Sequence, residues 1–220
     1  MTTQEFSIEF DILYNNLASN SAPPINEYEK SVVLTKAQSD IVLGLYSGRN
    51  QLGLSFESSE EARRYLNVLN TYDEQTLKGA SSFYYSSNLM FRTNIEHEKT
   101  EGNVTTITPV ILITHDDKAR LVNNPFKNGT SGRRILAIEE DNEIKFCSPS
   151  TVSGTIKIYG MRKPSPIILP NIEEEGLTID DTEVTPEGKE CELDSSLHYM
   201  ILERAVLLAK QAYIGGQTQS

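Results

Sequence analysis

Three histidines, two cysteines and a surplus of carboxylates are the groups in this 220-residue chain with the most obvious capacity for chemistry. His115 adjoins Asp116 and Asp117, residue types that hold a metal, but those acids also suit the first turn of a helix, where they complement its dipole. His97 and His198 stand far from it in sequence, and no HExxH-like pair exists. His198 sits where the last helix begins and reads as a capping or packing residue. Cys147 and Cys191 lack metal-ligand spacing and read as reduced thiols of an intracellular protein. "GLYSGRNQLG" has glycines but not the spacing, nor the Lys-Ser/Thr pair, of a phosphate loop. No serine occupies a nucleophile elbow, and no pair of acids is set apart for acid–base work. The sequence therefore points to no catalytic residue, no cofactor and no metal.

Two small basic clusters, Arg133–Arg134 and Arg162–Lys163, are of the type that meets a phosphate or an acidic partner. They equally protect a strand edge from aggregation. Acidic side chains number 31 against 20 basic, a net charge of −11. That balance argues against a protein that grips nucleic acid, which draws on clustered Lys and Arg. It suits a surface past which nucleic acid slides. The start "MTTQEFSIEFDIL" lacks the basic and apolar regions of a signal peptide, and no apolar run reaches membrane-spanning length. The expectation is a soluble intracellular protein.

The elements that carry these residues fall into an α+β order. Thr2 with Glu5 forms a capping box, followed by Phe6, Phe10, Leu13 and Leu17 at helical spacing. Pro23 and Pro24 end that helix. Asn26 with Glu29 opens a second, with Val33, Ala37, Ile41 and Leu45 as its stripe and Gly48 as its stop. Ser58 with Glu61 opens a shorter third helix with Leu66 and Leu69 inward. The middle then changes period: "SSFYYSSNLMFRTN", "VTTITPVILITH", "RRILAIEE", "EIKFCS" and "GTIKIYGMRKP" read as strands. Asp141 and Asn142 make a hairpin turn, and Thr114 caps a short helix near 115–123. Glu173 to Asp194 carries ten carboxylates against Lys189 and is expected to stay extended and exposed.

The pattern divides into a helical region at 1–72, a β-rich lobe at 73–170, an acidic connector at 171–195, a C-terminal helix at 196–214 and a tail at 215–220. The terminal helix and the N-terminal helices form a helical layer, attached to a central antiparallel lobe. On a helical wheel the polar Glu203, Arg204, Lys210 and Gln211 of the last helix collect on one arc. The apolar remainder exceeds what one core requires. Such a helix is buried from two sides, either within its own chain or by a second subunit. A subunit interface would draw on Ile201, Leu202, Ala205, Leu208, Ala209 and Tyr213, with Phe6 and Phe10 beside them.

"GTIKIYGMRKPSPIIL", the acidic spacer and "CELDSSLHYMILERAVLLAKQAYIG" resemble head–tail connector ring proteins of tailed bacteriophages, especially crAss-like phages. So does the opening "EFSIEFDILYNNLASNSAPPINEYEKSVVLTKAQSDIV". More distantly, the element order is similar to that of tail tubular or gatekeeper adaptors. These signatures are structural and bring no catalytic residue. The resemblance implies a virion protein, assembled in the bacterial host cytoplasm. It forms a closed ring of copies of itself, commonly twelve-fold, that meets the portal and other neck or tail rings. Genomic DNA passes through the lumen without specific binding, and no membrane is involved. Glu173, Glu174, Glu175, Asp180 and Asp181 would then face the lumen or a basic partner. Alternatives are a ring lower in the stack, a soluble enzyme with an acidic site, and a monomeric regulatory module.

Overall fold

The computed structural model describes residues 1–17, 24–50, 52–85, 88–129, 132–141, 143–172 and 176–217. Two compact units emerge, one from Met1–Val68 with Pro164–Ser220, the other from Leu69–Lys163. Among the described residues the fold is mixed, with five α-helices, the C-terminal one long, and a large, mostly antiparallel sheet.

The first unit holds α1 (Thr3–Leu17), α2 (Glu27–Ser47), α3 (Glu60–Leu66) and α5 (His198–Gln217). Thr2 and Glu5 close the expected box, at 3.2 and 2.8 Å. The inward face of α1 is Phe6, Phe10 and Tyr14. At 100° per residue its centre lies near Phe10 and Thr3, leaving Leu13 on the flank, half-buried. The side chain of Leu17 lies outside the described residues. Asn26 and Glu29 cap α2 reciprocally, and Gly48 ends it at φ 75°, a conformation that glycine adopts without cost. Ser59, one residue after the expected Ser58, caps α3 by accepting from Ala62 N. Ser58 instead pairs with Ser55.

The buried face of α2 is partly polar. Ser31 Oγ accepts from Leu169 N at 2.9 Å, Thr35 Oγ1 accepts from Ile167 N at 3.1 Å, and Gln38 Nε2 donates to Ser165 O at 3.1 Å. Residues 165, 167 and 169 repeat with the period of an extended chain, while 31, 35 and 38 repeat with that of a helix. The side chains of α2 thus serve the extended segment as a second strand would. Lys30, 3 % exposed, joins α1 to α2 through Asp11 at 2.8 Å and Glu27 at 2.9 Å. Burial works against its charge, but the two carboxylates outweigh it and raise its pKa.

The second unit holds β1 (Asn70–Ala80), β2 (Ser82–Tyr84), β3 (Leu89–Glu101), β4 (Val104–Leu112), α4 (His115–Val122), β5 (Ile135–Glu140), β6 (Glu143–Ser148) and β7 (Val152–Arg162). Strand order is β1-β7-β3-β4-β5-β6-β2. Its first and last strands are separated in sequence by Ser81 alone, so the sheet curls to bring its ends together. Leu77, Phe83, Ile95, Ile144, Phe146, Ile156 and Ile158 fill the interior of this curl. At Gly160 of β7 an added Cβ would stand 2.4 Å from Phe91 O, so the packing of β7 on β3 requires glycine. Asp141 makes the β5–β6 turn at φ 48°, and Asn142 lies outside the described residues. Thr114 caps α4 as the sequence predicts.

Candidate assembly surfaces

The groups with possible chemistry are scattered and quiet. His115 is exposed and stands 3.5 Å from Glu140. His97 is buried, its Nε2 3.0 Å from Ser153 O. His198 is buried against the Phe6 ring, centroids 5.3 Å apart. Its Nε2 lies 3.0 Å from Leu193 O and its Nδ1 2.7 Å from Met1 N. Burial holds its pKa below the usual value. It packs and caps. Burial also raises the Cys147 thiol and pushes Cys191 up to about 11, which disfavours the thiolate at both. The Arg92 guanidinium grips Glu139 bidentately, at 2.8 and 2.6 Å, and holds that carboxyl at about 2. Among the described residues no three His, Cys, Asp or Glu gather as a metal site.

The last helix answers to its wheel in part. Leu197, Ile201, Leu202, Ala205, Val206 and Ala209 are buried, because α5 packs against both α1 and α2. Arg204 fixes the α2 side through Asp40 at 2.6 Å. Of the eight residues expected at a subunit interface, Phe6, Phe10, Ile201, Leu202, Ala205 and Ala209 are therefore core of their own chain. Leu208 and Tyr213 are half-buried. The apolar surface that α5 leaves open is Tyr199, 60 % exposed, and Leu207, 48 % exposed. Sequence reasoning passed over both, since a wheel gives the width of an apolar arc but not which neighbours cover it. On α1, Ile8 and Ile12 are open as well. Between α2 and α5 lies a groove of about 190 Å³ walled by Ile41, Gly44, Met200 and Leu207.

The acidic segment is more ordered than its charge suggests. Glu173, Glu174 and Glu175 lie outside the described residues. Beyond them β8 (Thr178–Ile179) and β9 (Thr182–Glu183) form a hairpin whose tip is Asp180–Asp181, at φ 54° and 60°. Such a two-residue turn needs left-handed backbone, which Asp tolerates. Ile179 packs with Ile168, Ile172 and Tyr28, and Lys189 pairs with Ile168 through N–H···O bonds of 2.7 and 3.0 Å. The expectation of an extended segment fails here because its sparse apolar residues find a floor. Its carboxylates Asp180, Asp181, Glu183 and Glu187 are exposed as expected.

In the second unit, β3 beyond Glu98 and β4 before Val110 pair only with each other among the described strands. Beside this ribbon is a cleft of about 520 Å³, lined by His97, Lys99, Thr106, Thr108, Arg134 and Ser153 among others. Two of its polar groups are paired: Lys99 with Glu101 at 2.7 Å, and Thr108, which donates to Gly132 O. None is poised as a nucleophile or a base. What both units offer is surface.

The comparisons agree with that. Ring protein 4/5 of Bacteroides phage crAss001 is 35 % identical over 233 residues, covering 98 % of this chain and 94 % of that protein. Ring protein 3 of the same phage is 35 % identical over 224 residues, covering 95 % of each. A family model described as phage tail ring protein 3/4 matches residues 1–220, so the chain belongs to that family of structural ring proteins of the phage virion.

Proposed function

We propose that this chain is a subunit of a closed ring in the neck or tail of a crAss-like phage. It joins the portal side of the virion to the tail and continues the DNA channel. The observation that carries the reading is the match of a tail ring family along the whole chain. The apolar surface left open on α5 and α1, Tyr199, Leu207, Ile8 and Ile12, supports contact with neighbouring copies. Leu208 and Tyr213, half-buried, complete the α5 contribution to that contact. The net charge of −11 supports a wall past which DNA moves without adhering. Asp180 and Asp181 are then lumen-facing or docked on a basic partner.

The relatives' names carry ring numbers three and above, which supports a second reading, a ring further along the stack from the portal. Sedimentation velocity over a wide concentration range, with and without purified portal and neighbouring ring proteins, tests both. Rings with portal favour the first, and rings with a ring protein favour the second. A monomer under every condition would overturn the ring reading. Within either, Leu207→Asp is expected to leave the helical circular dichroism intact while lowering the ring population.

A further inference from the structure

We infer that the loop bearing Phe126, Lys127, Arg133 and Arg134 is the surface on which the acidic Asp180–Asp181 hairpin of a neighbouring copy docks. The inference rests on the ring reading above and specifies how such a ring closes.

Charge is segregated along this chain. Residues 118–138 hold five basic side chains and no Asp or Glu, whereas 173–194 hold ten carboxylates and one Lys, so the stretches carry +5 and 1 − 10 = −9. They lie in different units. Of the five, Arg120 is taken by Asp117 at 2.6 Å, and Lys118 lies toward Glu140. Among the described residues, Lys127, Arg133 and Arg134 meet no carboxylate. Self-repulsion in a chain of net charge −11 makes unspent cations in one place a strong local attractor for an acidic surface.

The loop is also built to present them. Asn124 Oδ1 accepts from Phe126 N at 2.9 Å, and Asn124 O accepts from Lys127 N and Asn128 N at 3.0 and 2.9 Å. Further on, Gly132 N donates to Gly129 O at 3.1 Å, and a Cβ on Gly129 would stand 2.8 Å from Arg134 O. In this loop Phe126 is 89 % exposed, the largest exposure of any large apolar residue described. An aromatic anchor on a hydrogen-bonded turn, with Lys127 next to it in sequence, costs little ordering on docking and matches the residue types that dominate interfaces.

A ring needs a heterologous contact, two different patches on one chain that fit each other. The hairpin supplies the second patch: Asp180, Asp181, Glu183 and Glu187 are exposed, above an Ile179 anchored in its own cluster. A second copy is therefore the occupant that the charges select. Nucleic acid is the weaker fit, since the few basic side chains of this loop face a net charge of −11.

Charge reversal tests this with full-length protein. Arg133→Glu with Arg134→Glu, and separately Asp180→Lys with Asp181→Lys, should each weaken self-association by at least ~10-fold in sedimentation velocity, with circular dichroism unchanged. Mixed together, the two variants should assemble again, because native and charge-swapped contacts then alternate along the ring. All four changes in one chain should restore assembly. Wild-type assembly that survives both reversals overturns the inference while the ring reading stands. So does loss in each variant with no rescue on mixing or combination. Wild-type protein that stays monomeric with portal and ring proteins overturns both. Retention of duplex DNA that Arg133→Glu/Arg134→Glu abolishes, with assembly untouched, makes nucleic acid the occupant and overturns the inference.

Discussion

The two units solve the same burial problem by opposite means. The sheet unit is one continuous run, Leu69–Lys163, closed on itself around an apolar interior. The helical unit is assembled from the two ends of the chain, and its interior mixes apolar side chains with hydroxyls, an amide and a buried lysine. Helix α2 satisfies its own backbone and so offers the returning segment at 165–169 no ladder. Ser31, Thr35 and Gln38 supply one through side chains, and Lys30 and Arg204 add ionic ties. A contiguous sheet needs no such devices, because neighbouring strands satisfy each other's backbone. The contrast teaches that polar residues inside a helix stripe can mark where a remote segment returns.

The largest expected effect breaks the helical unit at its centre. Ile201 is fully buried on α5 where α1 and α2 meet it. Ile201→Asp places a charge there without a partner, a change expected to cost more than ~4 kcal/mol and to abolish cooperative unfolding in urea. A folded, well-behaved variant would mean that α5 is not core.

How far the sequence reaches also differs between the units. Capping boxes at Thr2 and Asn26 were legible because a cap is a contract between residues three apart. The apolar strands of the sheet were legible from β-branched content. β1 was not, since "NTYDEQTLKGA" buries Leu77 alone among its side chains. Its pairing with β7 specifies it, and β7 lies some 80 residues away. The sequence division keeps the segment up to 170 in the β-rich lobe, whereas from Pro164 on it groups with the helical unit, because its partners sit on α2. For the assembly surfaces, the terminal helix announced excess apolar area, but the cover provided by α1 is a tertiary fact. Hence six residues expected at an interface proved to be core, while Tyr199 and Leu207 were overlooked.

A middling effect sharpens the contrast between ladders. Thr35→Val keeps shape but removes the hydroxyl that accepts from Ile167 N and donates to Ile167 O. A buried N–H loses its partner, at a cost of about 1–3 kcal/mol. The urea midpoint should fall accordingly, and amide exchange at Ile167 should quicken more than at Ile156 in the sheet. Equal change at both sites would show that the ladder does not act locally.

The smallest effect belongs to the sheet unit and depends on pH. Hydrogen bonding to Arg92 depresses the Glu139 carboxyl from 4.5 to about 2. A depressed pKa in the folded state contributes stability that is complete above the unfolded value. That contribution is lost as pH falls from 4.5 through about 2, when the carboxyl protonates in both states. The pair is partly exposed, Arg92 at 21 % and Glu139 at 34 % of their side chains, so solvent discounts its worth. Glu139→Gln should therefore cost only about 1 kcal/mol near neutral pH. Its urea midpoint should converge on that of the wild type as pH approaches 2. Lys30 of the helical unit has its pKa raised by Asp11 and Glu27, so its own charge is lost only as pH rises into alkali. A Glu139→Gln penalty that persisted undiminished in acid would mean that Arg92 holds the sheet by packing rather than by charge.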